Sequence, residues 1–287
     1  MRLSVLRVAF GLQLTPSGES MPSKKLLIRI LLVIVLIWFP YWMYKQVTHY
    51  FAVLDARAEL FAELKPVLLE NCELTRFGPS DDGGYIMCRN LLAGSEVGYS
   101  FGIEGRDEWG CEMHEMHRMP IHQYDCFDTR APVCPDGTKL NFNPECISGN
   151  SSLKKEKFFT LDQLVEKNAD AGKRKLVKMD IEGDEWETFK DASTEVLENI
   201  DQMVVEFHEV NNPEFLKTMR RLKEHFYIVN LHYNNNACDQ NVEPFPARVF
   251  EILLVNKRIG RLVPGGAGVF PNPLDKPNRS DLRDCQT

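Results

Sequence analysis

The sequence has no G-x-G-x-x-G fingerprint, no P-loop ending in Gly-Lys-Ser or Gly-Lys-Thr, and no C-x-x-C pair. The first two absences remove the common glycine-rich cradles for dinucleotides and nucleoside triphosphates. The third argues against a zinc ribbon or a thioredoxin-type redox site. Positive charge is the scarcer sign, with 34 Lys and Arg against 41 Asp and Glu, a formal net charge of −7 over 287 residues. That balance argues against nucleic acid as a partner. No internal repeat or low-complexity tract is present, so a solenoid or a disordered tail is not the frame of the chain.

One long apolar stretch stands near the start. Leu26 to Tyr44 reads LLIRILLVIVLIWFPYWMY, with Arg29 as its only charge. Roughly 20 apolar residues cross a bilayer as a helix, and Trp38, Tyr41, Trp42 and Tyr44 cluster where an aromatic belt belongs. Arg2, Arg7, Lys24, Lys25 and Arg29 precede or open the stretch, and only Lys45 follows closely. The amino end is therefore expected in the cytosol and the remainder in the secretory lumen. No small-residue cleavage site follows directly, since Ala56-Arg57-Ala58 lies too far downstream, so the reading is an uncleaved signal anchor. The expected organisation is a cytosolic tail over 1–25, a transmembrane anchor over 26–44, a stem helix over 45–70 and a catalytic domain over 71–287. The protein is thus expected as a single-pass type II protein of the Golgi or endoplasmic reticulum membrane.

All eight cysteines follow the anchor, and disulfides are plausible in that compartment, with connectivity open. Asn150-Ser151-Ser152 and Asn278-Arg279-Ser280 are glycosylation sequons.

Beyond the stem, strands and helices alternate. Strands are expected at Tyr85–Met87, Val97–Phe101, Ile121–Tyr124, near Glu145-Cys146-Ile147, and at Leu176–Met179, Met203–Phe207, Phe226–Leu231 and Val249–Val255. Helices are expected over 106–119, 160–168, 184–198 and 213–225. Alternation of this kind predicts a doubly wound, mostly parallel α/β sheet, whose ligands bind beyond the carboxyl ends of the strands.

Four strand ends carry chemistry. Val97–Phe101 runs into Gly102-Ile103-Glu104-Gly105, where glycine lets backbone approach a ligand. Ile121–Tyr124 ends at Asp125, an acid placed to accept from ribose hydroxyls, with Asp128 as the alternative. Leu176–Met179 delivers Asp180 and Glu182, a pair suited to general-base work or to a metal. Met203–Phe207 brings Glu206, His208 and Glu209 to its end, and a histidine there titrates near neutrality. Each residue also has a plain structural reading as a turn, a cap or a solvated strand end.

The string KMDIEGDEWETF then becomes distinctive. Together with RFGPSDDGGYIMC, YSFGIEGRDEW, IHQYD, VVEFHEV and NLHYNNNAC, spread over roughly residues 70–257, it resembles the FkbM-type methyltransferases. Within them the resemblance is closest to the methyltransferase-like 24 group. The resemblance implies a Rossmann-like seven-strand fold with a terminal antiparallel strand, here Val249–Val255, and S-adenosylmethionine as cofactor. It implies Gly102, Glu104 and Gly105 in the cofactor loop, Asp125 as the ribose acid, and Asp180 and Glu182 at the mouth of the site. Glu104 departs from the usual glycine-rich loop. The candidates for a catalytic base are His208, Asp180, Glu182 and His232; Asn234 and Asn235 are placed to bind a polyhydroxylated acceptor. No metal motif is present, although Asp180 and Glu182 are compatible with a divalent metal. The expected reaction is O-methylation of a sugar hydroxyl on a glycan or glycoconjugate, or of a small-molecule acceptor. The rivals are a type II glycosyltransferase, against which Asp125-Cys126-Phe127-Asp128 has the wrong spacing for an Asp-x-Asp pair, and a non-catalytic binding protein of the same fold.

Overall fold

The computed structural model describes residues 23–149 and 157–285, in two compact units whose boundary falls between Phe51 and Ala52. In the first unit the apolar stretch is not one uninterrupted α-helix. Helix α1 (Lys24–Val33) passes into a π-helical turn at Ile34–Trp38, and α2 (Phe39–Glu63) follows. Helix α1 has 10 residues, and α2 carries Lys45, Gln46, Thr48 and His49 soon after its start. As a result, no helix among the described residues is long and apolar enough to cross a membrane. The single transmembrane helix expected over 26–44 is thus not found among the described residues.

The end of α2 belongs to the second unit. Leu60 and the following Leu64 are buried in its main hydrophobic cluster, and Phe61 packs edge-on against Phe245 at 5.2 Å. Arg57 is buried and donates to Asn211 Oδ1 at 2.8 Å. The helix expected over 45–70 therefore stops at Glu63. Val67–Leu69 forms strand β1, paired antiparallel with the distant strand Leu262–Ala267. The apolar residues Val67 and Leu68 fit a helical stripe equally well, and only the remote partner decides between the two.

A hairpin of β2 (Leu74–Phe77) and β3 (Tyr85–Cys88) comes next. The central sheet holds seven strands: β4 (Val97–Phe101), β5 (Ile121–Tyr124), β6 (Asn141–Asn143), β9 (Lys175–Met179), β10 (Ile200–His208), β11 (Phe226–Tyr233) and β12 (Val249–Asn256). Their spatial order is β11-β12-β10-β9-β4-β5-β6. All are parallel except β12, which runs antiparallel between β10 and β11. The mostly parallel sheet with one late antiparallel strand agrees with the expected α/β class. The third strand is not the one expected: Asn141–Asn143 joins the sheet, whereas β7 (Cys146–Ile147) pairs with β8 (Phe158–Phe159) in a separate ribbon. The Asn-Phe-Asn segment has no apolar pattern to announce a strand, and pairing with β5 makes it one.

Alternate residues point to opposite faces of a sheet. Val97, Tyr99, Phe101, Val177, Met179, Val205 and Phe207 face one side. There they meet the end of α2 and the helices α4 (Leu161–Lys167), α5 (Glu185–Asp191), α6 (Thr194–Glu198) and α7 (Pro213–His225). Leu176, Val204, Leu253 and Val255 face the other side, against the β2–β3 hairpin and helix α3 (Glu108–His117).

The eight cysteines form four disulfides: Cys72–Cys88, Cys111–Cys134, Cys126–Cys146 and Cys238–Cys285. The sequon at Asn150 lies outside the described residues. Asn278 is only 6% exposed, and its amide donates to Glu251 Oε1 at 2.7 Å and Asp82 Oδ1 at 2.9 Å. The folded chain therefore does not present this second sequon.

Leu64→Ala should destabilise the second unit by about 2–5 kcal/mol, the range for a buried leucine, measured by denaturant unfolding. A change within experimental error would show that the end of α2 is a separable stem.

Candidate active site

A cleft of about 860 Å³ lies over the carboxyl ends of β4, β5, β9 and β10. Strands β4 and β9 are adjacent, and the chain reverses its direction of travel across the sheet between them. This is the switch point at which such sheets bind ligands.

The loop after β4 is wound through left-handed backbone at Gly102 (φ 68°), Glu104 (φ 45°) and Gly105 (φ 76°). At Gly102 a Cβ would stand 1.5 Å from the Asp180 carbonyl oxygen, so nothing larger than hydrogen fits. The Lys178 Nζ donates to the carbonyls of Phe101, at 3.1 Å, and Gly102. This buried lysine on β9 therefore ties down the start of the loop.

Asp125 holds the same loop from β5. Its Oδ2 accepts from the N–H of Ile103 (3.1 Å) and Glu104 (2.8 Å), and its Oδ1 from those of Phe127 and Asp128, both at 2.9 Å. Four donors match the roughly four lone-pair sites of a carboxylate. Asp125, expected as a ribose ligand, is thus fully occupied in joining two loops. Asp128 also lines the cleft. It is paired with Arg130, whose hydrogen bonds hold the carboxyl at about 2.

On β9 and β10 the structure brings Asp180, Glu182 and His208 together, with one ligand atom of each within 4.8 Å of the others. That donor set could hold a cation. Burial raises Asp180 to about 6, against the pull of Lys178, 3.8 Å away, and of His208. The Tyr85 hydroxyl stands 3.5 Å from Asp180 Oδ2. Glu182 is largely exposed and reaches to 3.5 Å from His208 Nε2.

Glu185 organises this corner. It is completely buried. Its Oε1 accepts from the N–H groups of Ile181 (2.9 Å) and Gly183 (3.2 Å) and lies 3.0 Å from His208 Nδ1. Burial disfavours charge on His208, but the Glu185 hydrogen bond and charge, then Asp180 and Glu182, outweigh it and raise the imidazole to about 9. His208 is therefore a charged donor near neutral pH. A free base at that pH is better supplied by Asp180.

The remaining expected residues are placed as follows. Gly102, Glu104 and Asp125 line the cleft, and Gly105 completes their loop. His232 is not among the residues lining the cleft; it meets Asn278 Oδ1 at 3.1 Å and Asp275 at 3.9 Å. Asn234 lines the cleft but is already committed to Glu206 and to the backbone of Asn236, and Asn235 is bonded to the C-terminal segment. Lys178 and Glu185 escaped the sequence reading as functional groups, although both belong to the KMDIEGDE string. By position Glu185 is only an acid in the first turn of a helix.

Against protein families, residues 148–229 match the methyltransferase FkbM domain. The matched stretch is under a third of the chain. It contains the Asp180, Glu185 and His208 corner and supports a methyltransferase in general. The loop after β4 and Asp125 lie outside it. No curated protein matches the chain.

Because its folded pKa is raised, His208 adds stability below its unfolded value of about 6.5, and this is lost as pH rises through about 9. Glu185→Gln should bring the imidazole titration, followed by NMR, down toward the ordinary histidine range and flatten that alkaline loss of stability. An unmoved titration would remove Glu185 as its cause.

Proposed function

We propose that the chain is an S-adenosylmethionine-dependent methyltransferase acting on a hydroxyl, with a sugar of a glycan or glycoconjugate as the acceptor class. The observation that carries this reading is the loop at the switch point. A left-handed turn pressed onto the Asp180 carbonyl and tied down by Asp125 and Lys178 keeps side chains away from the place where a nucleoside cofactor would lie. The cleft, about 860 Å³, is also within the usual size range of small-molecule and cofactor sites. The match of residues 148–229 to the methyltransferase FkbM domain supports the methyltransferase part of this reading.

The residues present fit the cofactor. The backbone of Gly102 to Gly105 would lie along it. Asp125 would hold that backbone in shape, and Asp128 would exchange bonds to Arg130 for bonds from the ribose hydroxyls. When bound, S-adenosylmethionine supplies an electrophilic methyl group. The chain supplies orientation and a base. Asp180 is set to take the hydroxyl proton, His208 and Lys178 carry balancing positive charge, and Glu185 keeps His208 in place.

We further propose that the second unit resides in the lumen of the Golgi or endoplasmic reticulum. Four disulfides in one unit suit an oxidising compartment. The membrane would be the partner of the first unit, where Leu32, Leu36, Trp38, Phe39 and Trp42 are all at least half exposed.

Calorimetric titration of the full-length protein should show saturable S-adenosylmethionine binding. Asp180→Asn should leave that affinity within about threefold and reduce methyl transfer to glycan acceptors about 10²–10⁴-fold, the usual worth of a general base. A folded protein that binds no S-adenosylmethionine would end the reading. In sealed microsomes the second unit should resist added protease until detergent is supplied; digestion without detergent would contradict the lumenal assignment.

A further inference from the structure

Outside the Asp180 corner, the structure gathers a second set of acidic groups. Glu206 on β10 and Glu251 on β12 are direct cross-strand partners, and His232 on β11 stands opposite Glu251. All three face the side of the sheet covered by the β2–β3 hairpin. The turn of that hairpin places Asp82 over them. Asp82, Glu206 and Glu251 each offer an oxygen within 4.8 Å of the others. Asp82 is exposed, whereas Glu206 and Glu251 are 3% and 8% exposed.

Like charges directly opposite on neighbouring strands destabilise a sheet, and buried carboxylates need partners. The partners here are few. Asn234 donates to Glu206 Oε1 at 2.7 Å, and Asn278 divides its amide between Glu251 Oε1 and Asp82 Oδ1. Glu206 Oε2 is buried and accepts from no group among the described residues. No lysine or arginine forms an ion pair with Glu206 or Glu251 there. His232 and Arg76 are close enough to act on Glu251, but the three carboxylates around this shared centre, one with an oxygen left unsatisfied, have no cation paired directly with them among the described residues.

We propose that Asp82, Glu206 and Glu251 bind a divalent cation. Three carboxylate oxygens are a hard donor set of the kind that takes Ca²⁺, Mg²⁺ or Mn²⁺ in preference to a soft metal. Asp82 and Glu206 line the cleft, so the coordination positions left by the protein open into it. They would be filled by water or by oxygens of the acceptor. Asn278 and Asn234 then act as positioning residues, holding Glu251 and Glu206 toward the ion. The site does not depend on the methyltransferase reading, because cation binding can be read directly.

The test is titration of the full-length protein with Mn²⁺, followed by calorimetry and by the loss of the free-ion paramagnetic resonance signal. Ca²⁺ and Mg²⁺ serve as competitors. One saturable site is expected, weakened at least tenfold by Glu206→Gln and by Glu251→Gln. Asp82→Asn, on an exposed turn, should weaken it similarly and guards against a folding defect in the buried variants. Three outcomes would overturn the proposal. The folded wild-type protein could bind no Mn²⁺ at millimolar concentration. Binding could survive all three substitutions. Binding could disappear on Asp180→Asn while the three variants retain it, which would assign the ion to the Asp180, Glu182 and His208 group instead.

Discussion

Backbone N–H groups at the strand ends must find acceptors, and two carboxylates meet that demand. A sheet that ends in tight loops leaves donors pointing into a cleft from which water is partly excluded, and a buried donor without an acceptor costs roughly 1–3 kcal/mol. Asp125 takes four such groups and Glu185 takes two. The Asp180 corner and the loop after β4 each depend on one of these anchors. With the loops fixed, Gly102 can press against the Asp180 carbonyl, and His208 can be held charged beside Asp180. The same demand shows why acids are dense at this end of the sheet without all of them being reactive.

Much of the fold was legible because its strands are apolar runs of limited length, each ended by a polar residue. Val97–Phe101, Ile121–Tyr124 and Pro213–His225 were bounded correctly from pattern alone. The residues Asp180 and His208 stood out because each follows such a run. Other features were not local. Helix 184–198 divides into α5 and α6 because Ser193 caps a new start, accepting from the N–H of Val196. The third strand is made by its neighbour rather than by its composition. A carboxylate's partners are also not written in its spacing. Asp125 and Glu185 could be located as acids near a site, but what they hold depends on loops that fold back from elsewhere.

The two faces of the sheet differ in kind. One is apolar and aromatic, with Trp186 stacked on Phe215 at 4.3 Å and against Phe207 at 4.1 Å. The other carries Lys178, Glu206, Glu251 and His232 on the consecutive strands β9, β10, β12 and β11. In sequence Glu206 stands out only as an acid at a strand end, and Glu251 is a single acid within an apolar strand. Their significance comes from register, since the antiparallel insertion of β12 sets one glutamate opposite the other. The apolar face supplies cohesion, and the hairpin face keeps polar groups under cover beside the cleft.

Asn278 gives this arrangement a time dimension. Its side chain is locked between Asp82, His232 and Glu251, and the segment beyond it is tied back by Cys285 to Cys238. An oligosaccharide on that nitrogen could not be accommodated in the native state. During synthesis in a compartment that attaches N-glycans, the sequon would be readable only before this last segment docks. Folding and glycosylation would then compete for one amide nitrogen, and a chain that lost the race could not close its final strap.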